Sequence, residues 1–254
     1  MSARGLTLTA LAGFPIVKPG DDLAALLIDA LRRSGIVPED NDVVVIAQKV
    51  VSKAEGRVVD LRTVKASARA TWLANEVNKD PRLVEVILNE SSEVVRHRKD
   101  VLIVAHRLGF VMANAGVDQS NVAGDGDQVL LLPRDPDETA AQLKAALDAE
   151  FGVRLGVIVN DSFGRPWRNG VVGVALGAAG VPSLIDLVGV ADLFGRKMRV
   201  TEVAYADEIA AAASLVMGQA AEGQPVVHIR GLQSDAPAVP ASALLRPKEM
   251  DLFR

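Results

Sequence analysis

Two aspartates stand where apolar runs give way to small, oxygen-bearing residues. Asp118 lies in GFVMANAGVDQSNV, residues 109–122, and Asp161 closes VRLGVIVND with Asn160 before it and Ser162 after it. An ionised carboxylate taken out of water needs hydrogen bonds, a cation or a metal beside it. Hard divalent cations such as Mg2+ and Mn2+ take oxygen ligands, commonly one or two carboxylates with phosphate oxygens completing the shell. Two such aspartates brought together would therefore make a metal site, whereas each alone would serve equally well in an Asx turn or a helix cap. Lys49 and Lys53, which follow the apolar run VVVIA, and Arg165 and Arg168, just beyond Asp161, are cations able to meet phosphates beside such an ion.

Other chemistries find little support. With no cysteine in 254 residues there is no disulfide, thiolate zinc site or thiol nucleophile. The three histidines, His97, His106 and His228, have no metal-ligand spacing, and no Ser-His-Asp arrangement can be assembled around them. Neither G-x-x-x-x-G-K-[ST] nor a strand-following G-x-G-x-x-G occurs, and the glycines at 170, 173, 177 and 180 suit close packing of backbone better than a phosphate cradle. A net charge of -4 gives no footprint for duplex nucleic acid, and the basic run RHRK at 96–99 reads as a solvated turn. The apolar stretch 171–181 is too short and glycine-rich to span a bilayer, and the N-terminus carries no secretory pattern, so a cytoplasmic protein is expected.

The elements that must position these residues are mixed. A strand from about residue 6 leads through a loop with Pro15, Pro19 and Gly20 to a helix, LAALLIDALRR, capped by Asp21 or Asp22 and ending in Arg32 and Arg33. The β-branched run at 43–46 is a buried strand delivering Gln48, Lys49, Ser52 and Lys53 at its exit. Helices are predicted over 64–78 and 81–90, short strands over 101–105 and 109–112, and Asp118 then falls on a loop. A strand ending at Pro133, a helix from about 136, an apolar strand terminating in Asn160 and Asp161, a helix over 204–217 and a last strand, PVVHI, complete the chain. No clean βαβ repeat is visible, which favours α+β or irregular α/β over a doubly wound sheet.

Taken in order, FPIVKPGDD, QKVVSKAEGR, FVMANAGVDQSNV, LLLPRDPD, VIVNDSFGRPWRNGVVGVALGAAG, DLFGRKMRVTEVAYADEIAAAASLVMGQ and VVHIRGL resemble the coenzyme F420-0:γ-glutamyl ligase family over nearly the whole chain. The resemblance implies a mixed α/β fold of two closely associated subdomains, neither P-loop, Rossmann nor ATP-grasp. It treats residues 1–254 as one unit that does not include the C-terminal nitroreductase-like domain into which some relatives continue. It implies a GTP-dependent ligase that joins L-glutamate to coenzyme F420-0 through an acyl phosphate, then extends F420-1 through γ-linkages, releasing GDP. Mg2+ or Mn2+, two ions per site, K+ and an intertwined homodimer belong to the same expectation. By motif, Asp118 and Asp161 match metal ligands, and Ser162 and Gln219 match the second metal's position. Phe14, Pro15, Ile16, Val17, Gln48, Lys49, Lys53, Asn121, Met217, Gly218, Gln219, Ala220, Ala221, Glu222, Gly223 and Gln224 match the nucleotide site. Gln219 departs from the glutamate of archaeal members and brings no charge, and Gln48 and Lys49 replace a hydroxyl pair of some relatives. A metal-dependent nucleotide phosphohydrolase and a non-catalytic nucleotide-binding regulator are the rival readings.

Overall fold

The computed structural model describes residues 4–119 and 126–252. β1 (Thr7–Ala10) leads to α1 (Leu23–Arg33), whose first turn is closed by the Asp22 carboxylate accepting the Ala25 N–H at 3.1 Å and whose last turn carries Arg32 and Arg33. β2 (Val43–Ala47) passes into α2 (Gln48–Ala54) with no residue between them. β3 (Val58–Asp60) follows, then α3 (Ala68–Val77) and α4 (Pro81–Asn89), capped by Ser67 and Asp80. β4 (Ser91–Arg98), β5 (Val101–His106), β6 (Val111–Ala113) and β7 (Gln128–Leu130) precede α5 (Pro136–Phe151), which has an Asp135 cap and proline at its first position. β8 (Gly156–Arg165) and β9 (Arg168–Ala179) form a long hairpin. β10 (Ile185–Asp186) pairs with β11 (Glu202–Val203) before α6 (Tyr205–Met217) and β12 (Val226–Arg230).

One five-stranded sheet, in the order β1-β12-β2-β8-β9, organises the molecule. Only β2 and β8 run parallel, so the architecture is mixed α/β rather than doubly wound. Val44, Ile46, Val157 and Val159 face α1, α2 and α5, while Val43, Val45, Ile158 and Ile229 face α6. Both faces are covered, which is why β2 is apolar at every position instead of alternating. Residues 58–119 and 126–132 build a second layer, in which α3 and α4 pack on the β4-β5-β6 sheet and Phe110, Met112 and Leu132 meet Leu176 of β9.

Two buried carboxylates clamp this frame. Asp42, just before β2, accepts the Nε and Nη2 of Arg230 at 3.0 and 2.6 Å and lies 2.8 Å from His228 Nε2. Glu90 sits between Arg57 at 2.7 Å and Arg107 at 2.9 Å, with His106 at 3.5 Å. The two buried histidines thus stand beside carboxylates that arginines already hold.

Several boundaries differ from the sequence reading. Arg96 to Arg98 belong to β4 rather than a turn; β4 is the edge of its sheet, and charge on an edge strand blocks further pairing. β8 does not end at Asp161 but continues to Arg165, because β9 supplies a partner beyond the point where β2 stops. The glycines of β9 are packing residues: a Cβ on Gly173 would overlap the Ala210 carbonyl and the Ser214 hydroxyl of α6, and one on Gly177 would overlap the Pro136 carbonyl of α5. Residues four apart in a strand should share a face, yet these two meet opposite layers. The register explains it: Val159 pairs with Gly177 and Asn160 with Ala175, so Leu176 is a bulge residue and lies with Gly177 on one side.

Candidate active site

The strand order brings four segments of interest to one end of the main sheet. β1 and β2 end there, β12 begins there, and β8 passes through at Asn160, the partner of Ala47. The loop after β1 is tied to that end through Leu11 N–H to Val226 O at 2.9 Å, and to α2 through Gly20 N–H to Ala54 O at 2.8 Å. The loop before β12 is held by Ala47 N–H to Pro225 O at 2.8 Å. Residues 14–17, 48–53, 160–162 and 217–224 therefore ring one sheet end, although they are scattered along the chain.

Asp118 arrives from the second layer. It exchanges both backbone hydrogen bonds with Leu130 at 2.9 and 2.8 Å, so it is bridged to the end of β7 instead of lying on an open loop. The three residues Asn114, Ala115 and Gly116 all have positive φ, of 54°, 54° and 66°. A left-handed turn costs an alanine about 1–2 kcal/mol, and here it aims the segment that carries Asp118. The sequence gives this turn away only through its Asn and Gly.

Lys49, in the first turn of α2, places its Nζ 2.6 Å from Asp118 Oδ2. Asp161 lies close enough to both for each to act on it. Its carboxyl is lifted from 3.8 to about 6: burial is the largest cause, the Ser162 N–H and the Lys49 charge pull the other way, and the Asp118 charge adds to the rise. A raised carboxylate pKa means that the folded protein holds a proton the unfolded chain has released. The associated stability is full below about 3.8 and lost as pH rises through about 6. In a chelator, Asp161→Asn should therefore melt higher than the parent, with the gap opening between about pH 4 and about pH 6 and staying level above that. A gap that stays constant across that range would show that the carboxyl is not shifted.

Alternation along β8 separates the neighbours of Asp161. Asn160 Nδ2 donates to Ser214 Oγ at 3.1 Å and to Met217 Sδ at 3.5 Å on α6, and Ser162 Oγ donates to Gln219 Oε1 at 2.7 Å. Ser162 and Gln219 thus meet on the α6 side, while Asp161, Asp118 and Lys49 meet on the α2 side. The Asn160 side-chain oxygen, which the sequence offers as an oxygen ligand beside Asp161, is buried with no hydrogen-bond partner among the described residues. The carboxylates on one side of β8, and the amide oxygens and hydroxyl on the other, are all oxygen ligands of the kind a hard cation takes. Among the described residues no three His, Asp or Glu side chains gather at one point, so a cation here would draw further ligands from substrate or water.

The remaining candidates divide. Lys53 lies one turn after Lys49 and is half-buried; burial first, and then the Lys49 charge, pull its pKa below the ordinary range. Gln48 is turned inward, 3% exposed, with its Oε1 accepting from Ser52 Oγ at 2.8 Å, so that oxygen is engaged within the protein. Ile16 is exposed and Val17 buried in the core beside α1. Met217 is buried, Gly218 turns the chain at φ 73°, and residues 219–224 are exposed; there the Glu222 carboxylate accepts the Ala220 N–H at 2.8 Å. Arg165 and Arg168 pair at the exposed tip of the β8–β9 hairpin, away from Asp161. Asn121 lies outside the described residues. A cavity of about 630 Å³ between the start of α5, the end of β9 and residues 238–245 contains none of the candidate residues. No described helix is long and apolar enough to cross a membrane.

Comparison with known proteins places this arrangement. The F420-0:Gamma-glutamyl ligase family matches residues 13–231, a span that takes in every segment of the sheet-end ring. The chain is similar to proteins named Coenzyme F420:L-glutamate ligase. That of Methanothermobacter thermautotrophicus is 49% identical over 98% of this chain and 99% of its own length. That of Methanopyrus kandleri is 48% identical over 94% and 93%, and that of Methanocaldococcus jannaschii 45% identical over 94% of each. With the family matched across most of its length and relatives aligned nearly end to end, the chain belongs to the F420-0:gamma-glutamyl ligase family.

Proposed function

We propose that this protein joins L-glutamate to coenzyme F420-0, as the names of its relatives indicate, and that it does so with GTP and a divalent cation, Mg2+ or Mn2+, by way of an acyl phosphate. The observation that carries the finer reading is the pairing of opposite charges at the sheet end: two carboxylates on one side, and Lys49 and Lys53 at successive turns of α2 on the other. A nucleotide's phosphates and their cation need both. When bound, the cation would be held by Asp118 and Asp161 and would neutralise phosphate charge.

An acceptor carboxylate is a poor electrophile. Its oxygen attacks the terminal phosphorus of GTP, GDP departs, and the acyl phosphate so formed is attacked at carbon by the glutamate amine; phosphate leaves and the amine loses a proton. Positioning and charge stabilisation carry such a transfer. Lys53 is suited to hold a phosphate, since burial has already stripped part of its hydration. Ser162 and Gln219 offer oxygen for a second cation on the α6 side of β8, and K+ belongs to the same reading. γ-Linked extension of F420-1 would reuse the site. The exposed apolar side chains Leu193, Phe194 and Val200 between β10 and β11, with Trp167 at the hairpin tip, suit burial in a homodimer.

Mass spectrometry of the acceptor after incubation with GTP, Mn2+ and glutamate tests the reading. Addition of one or more glutamyl units is expected, with GTP turnover dependent on both acceptor and glutamate. Turnover of GTP alone would instead indicate a phosphohydrolase, and binding without turnover a regulator. Lys53→Ala should weaken GTP binding by about 1–3 kcal/mol, the scale of a charged hydrogen bond, while leaving the melting temperature without ligand nearly unchanged. Unaltered affinity in calorimetry would remove Lys53 from the site.

A further inference from the structure

We propose that Lys49 is an exchangeable counter-ion, holding Asp118 while no divalent cation is bound and passing to the nucleotide's phosphates as the cation takes its place. The inference rests on the reading that Asp118 and Asp161 hold the cation. Its basis is the 2.6 Å contact between Lys49 Nζ and Asp118 Oδ2, in which the two side chains are 26% and 31% exposed. A pair that water still reaches on about a quarter to a third of each side chain is partly screened, and it can separate when a competing cation and phosphate supply each partner with a replacement.

The geometry limits what can move. α2 follows β2 directly, so the backbone of Lys49 is fixed by the sheet, and any exchange is made by the flexible four-carbon stem that carries the ammonium group. Lys53 is near enough to feel the Lys49 charge, and Asp161 feels Lys49 and Asp118 together. Phosphate arriving beside α2 would find Lys53 already there and offer Lys49 a new partner one helical turn away.

The consequence is thermodynamic coupling. A divalent cation that arrives alone must enter beside an ammonium group already seated on one of its ligands, and like charges repel. A cation that arrives with nucleotide brings the phosphates that draw this ammonium away. Each ligand then raises the affinity for the other by the same factor, which biases the site towards the cation–nucleotide pair over either component.

Isothermal titration of Mn2+ alone, and of GTP in the presence of Mn2+, tests this with the intact chain and its Lys49→Met, Lys49→Gln and Asp118→Asn variants; circular dichroism identifies whichever lysine variant remains folded. Removing the ammonium should tighten binding of Mn2+ alone by about 5-fold to 10-fold, the scale of a partly screened charge at contact distance. It should weaken binding of GTP with Mn2+ by about tenfold. An affinity for Mn2+ alone that stays the same or falls would overturn the exchange, as would an undiminished affinity for GTP. If the parent binds Mn2+ no more tightly than Asp118→Asn, the cation-site reading itself has failed, a result distinct from failure of the exchange.

Discussion

Replacing Asp118 or Asp161 by Asn is expected to leave a folded protein that no longer gains stability from Mn2+ and has lost ligase activity by about a hundredfold or more, since a lost cation removes several kcal/mol of charge stabilisation from phosphoryl transfer. A ligand that binds only the folded state raises the melting temperature by mass action, so the parent should melt higher as Mn2+ is added and the variants should not. The metal-free Asp161→Asn protein should not be weaker than the parent near pH 7, because it relieves a carboxylate that burial and Asp118 both disfavour in its ionised form. Asp118→Asn releases Lys49 from its 2.6 Å partner, at the modest cost expected of a partly exposed pair. Thermal melts across a Mn2+ series, read beside glutamyl-transfer rates, decide the matter. Variants that unfold without metal, or that keep the parent's response to Mn2+, would reduce both aspartates to structural roles.

The opposite pattern is expected at the other end of β2. Asp42 is 2% exposed and gathers Arg230, His228 and the Glu39 N–H. Burial alone would raise its pKa, but the Arg230 guanidinium, the Glu39 amide and His228 together lower it below the usual carboxylate value. Its contribution is therefore present above about pH 3.8 and lost as pH falls through the depressed value. Asp42→Ala removes the buried acceptor of His228, of the Glu39 N–H and of Arg230, which keeps its exposed ion pair with Glu39. With Arg230 37% exposed, the cost is nearer about 2–4 kcal/mol than the full penalty for a sealed pair. In a chain of this length that lowers the melting temperature by roughly 5–15 °C. The Mn2+-dependent gain should survive, since five residues of strand, about 16 Å, separate Asp42 from α2. A shift of less than roughly 2 °C would show that the clamp contributes little.

Local signals in the sequence carried much of this. Asp22, Arg32 and Arg33 announced α1, the run before Gln48 announced β2, and the helical pattern after residue 204 announced α6. Asp118 and Asp161 were recognisable as carboxylates at the rim of a core, and the structure places them in electrostatic contact. What could not be read depends on distant partners. The polar half of β8 has no apolar alternation to mark it as strand and exists because β9 pairs with it. The division of Asn160 and Ser162 from Asp161 follows from alternation, but only once that strand is known. Lys49 could be seen as a phosphate ligand, but not as the partner of Asp118, because nothing along the chain records which loops meet. The inward turn of Gln48 is likewise set by Ser52, one helical turn away and equally buried.

The bulge at Leu176 makes one position in β9 unlike its neighbours where chain length is concerned. Deleting Leu176 would join Ala175 to Gly177 in simple alternation opposite Asn160 and Val159. Gly173 would stay beneath Ser214 and Gly177 beneath Pro136, at the loss of one leucine and some local twist. Deleting Val174 instead would turn Gly173 out and bring Val172 against the Ala210 backbone, where even a methyl group does not fit. The hairpin that carries Asp161 can therefore change length by one residue at that point without exchanging its two faces, whereas one residue removed from the stretch between Gly173 and Ala175 would exchange them.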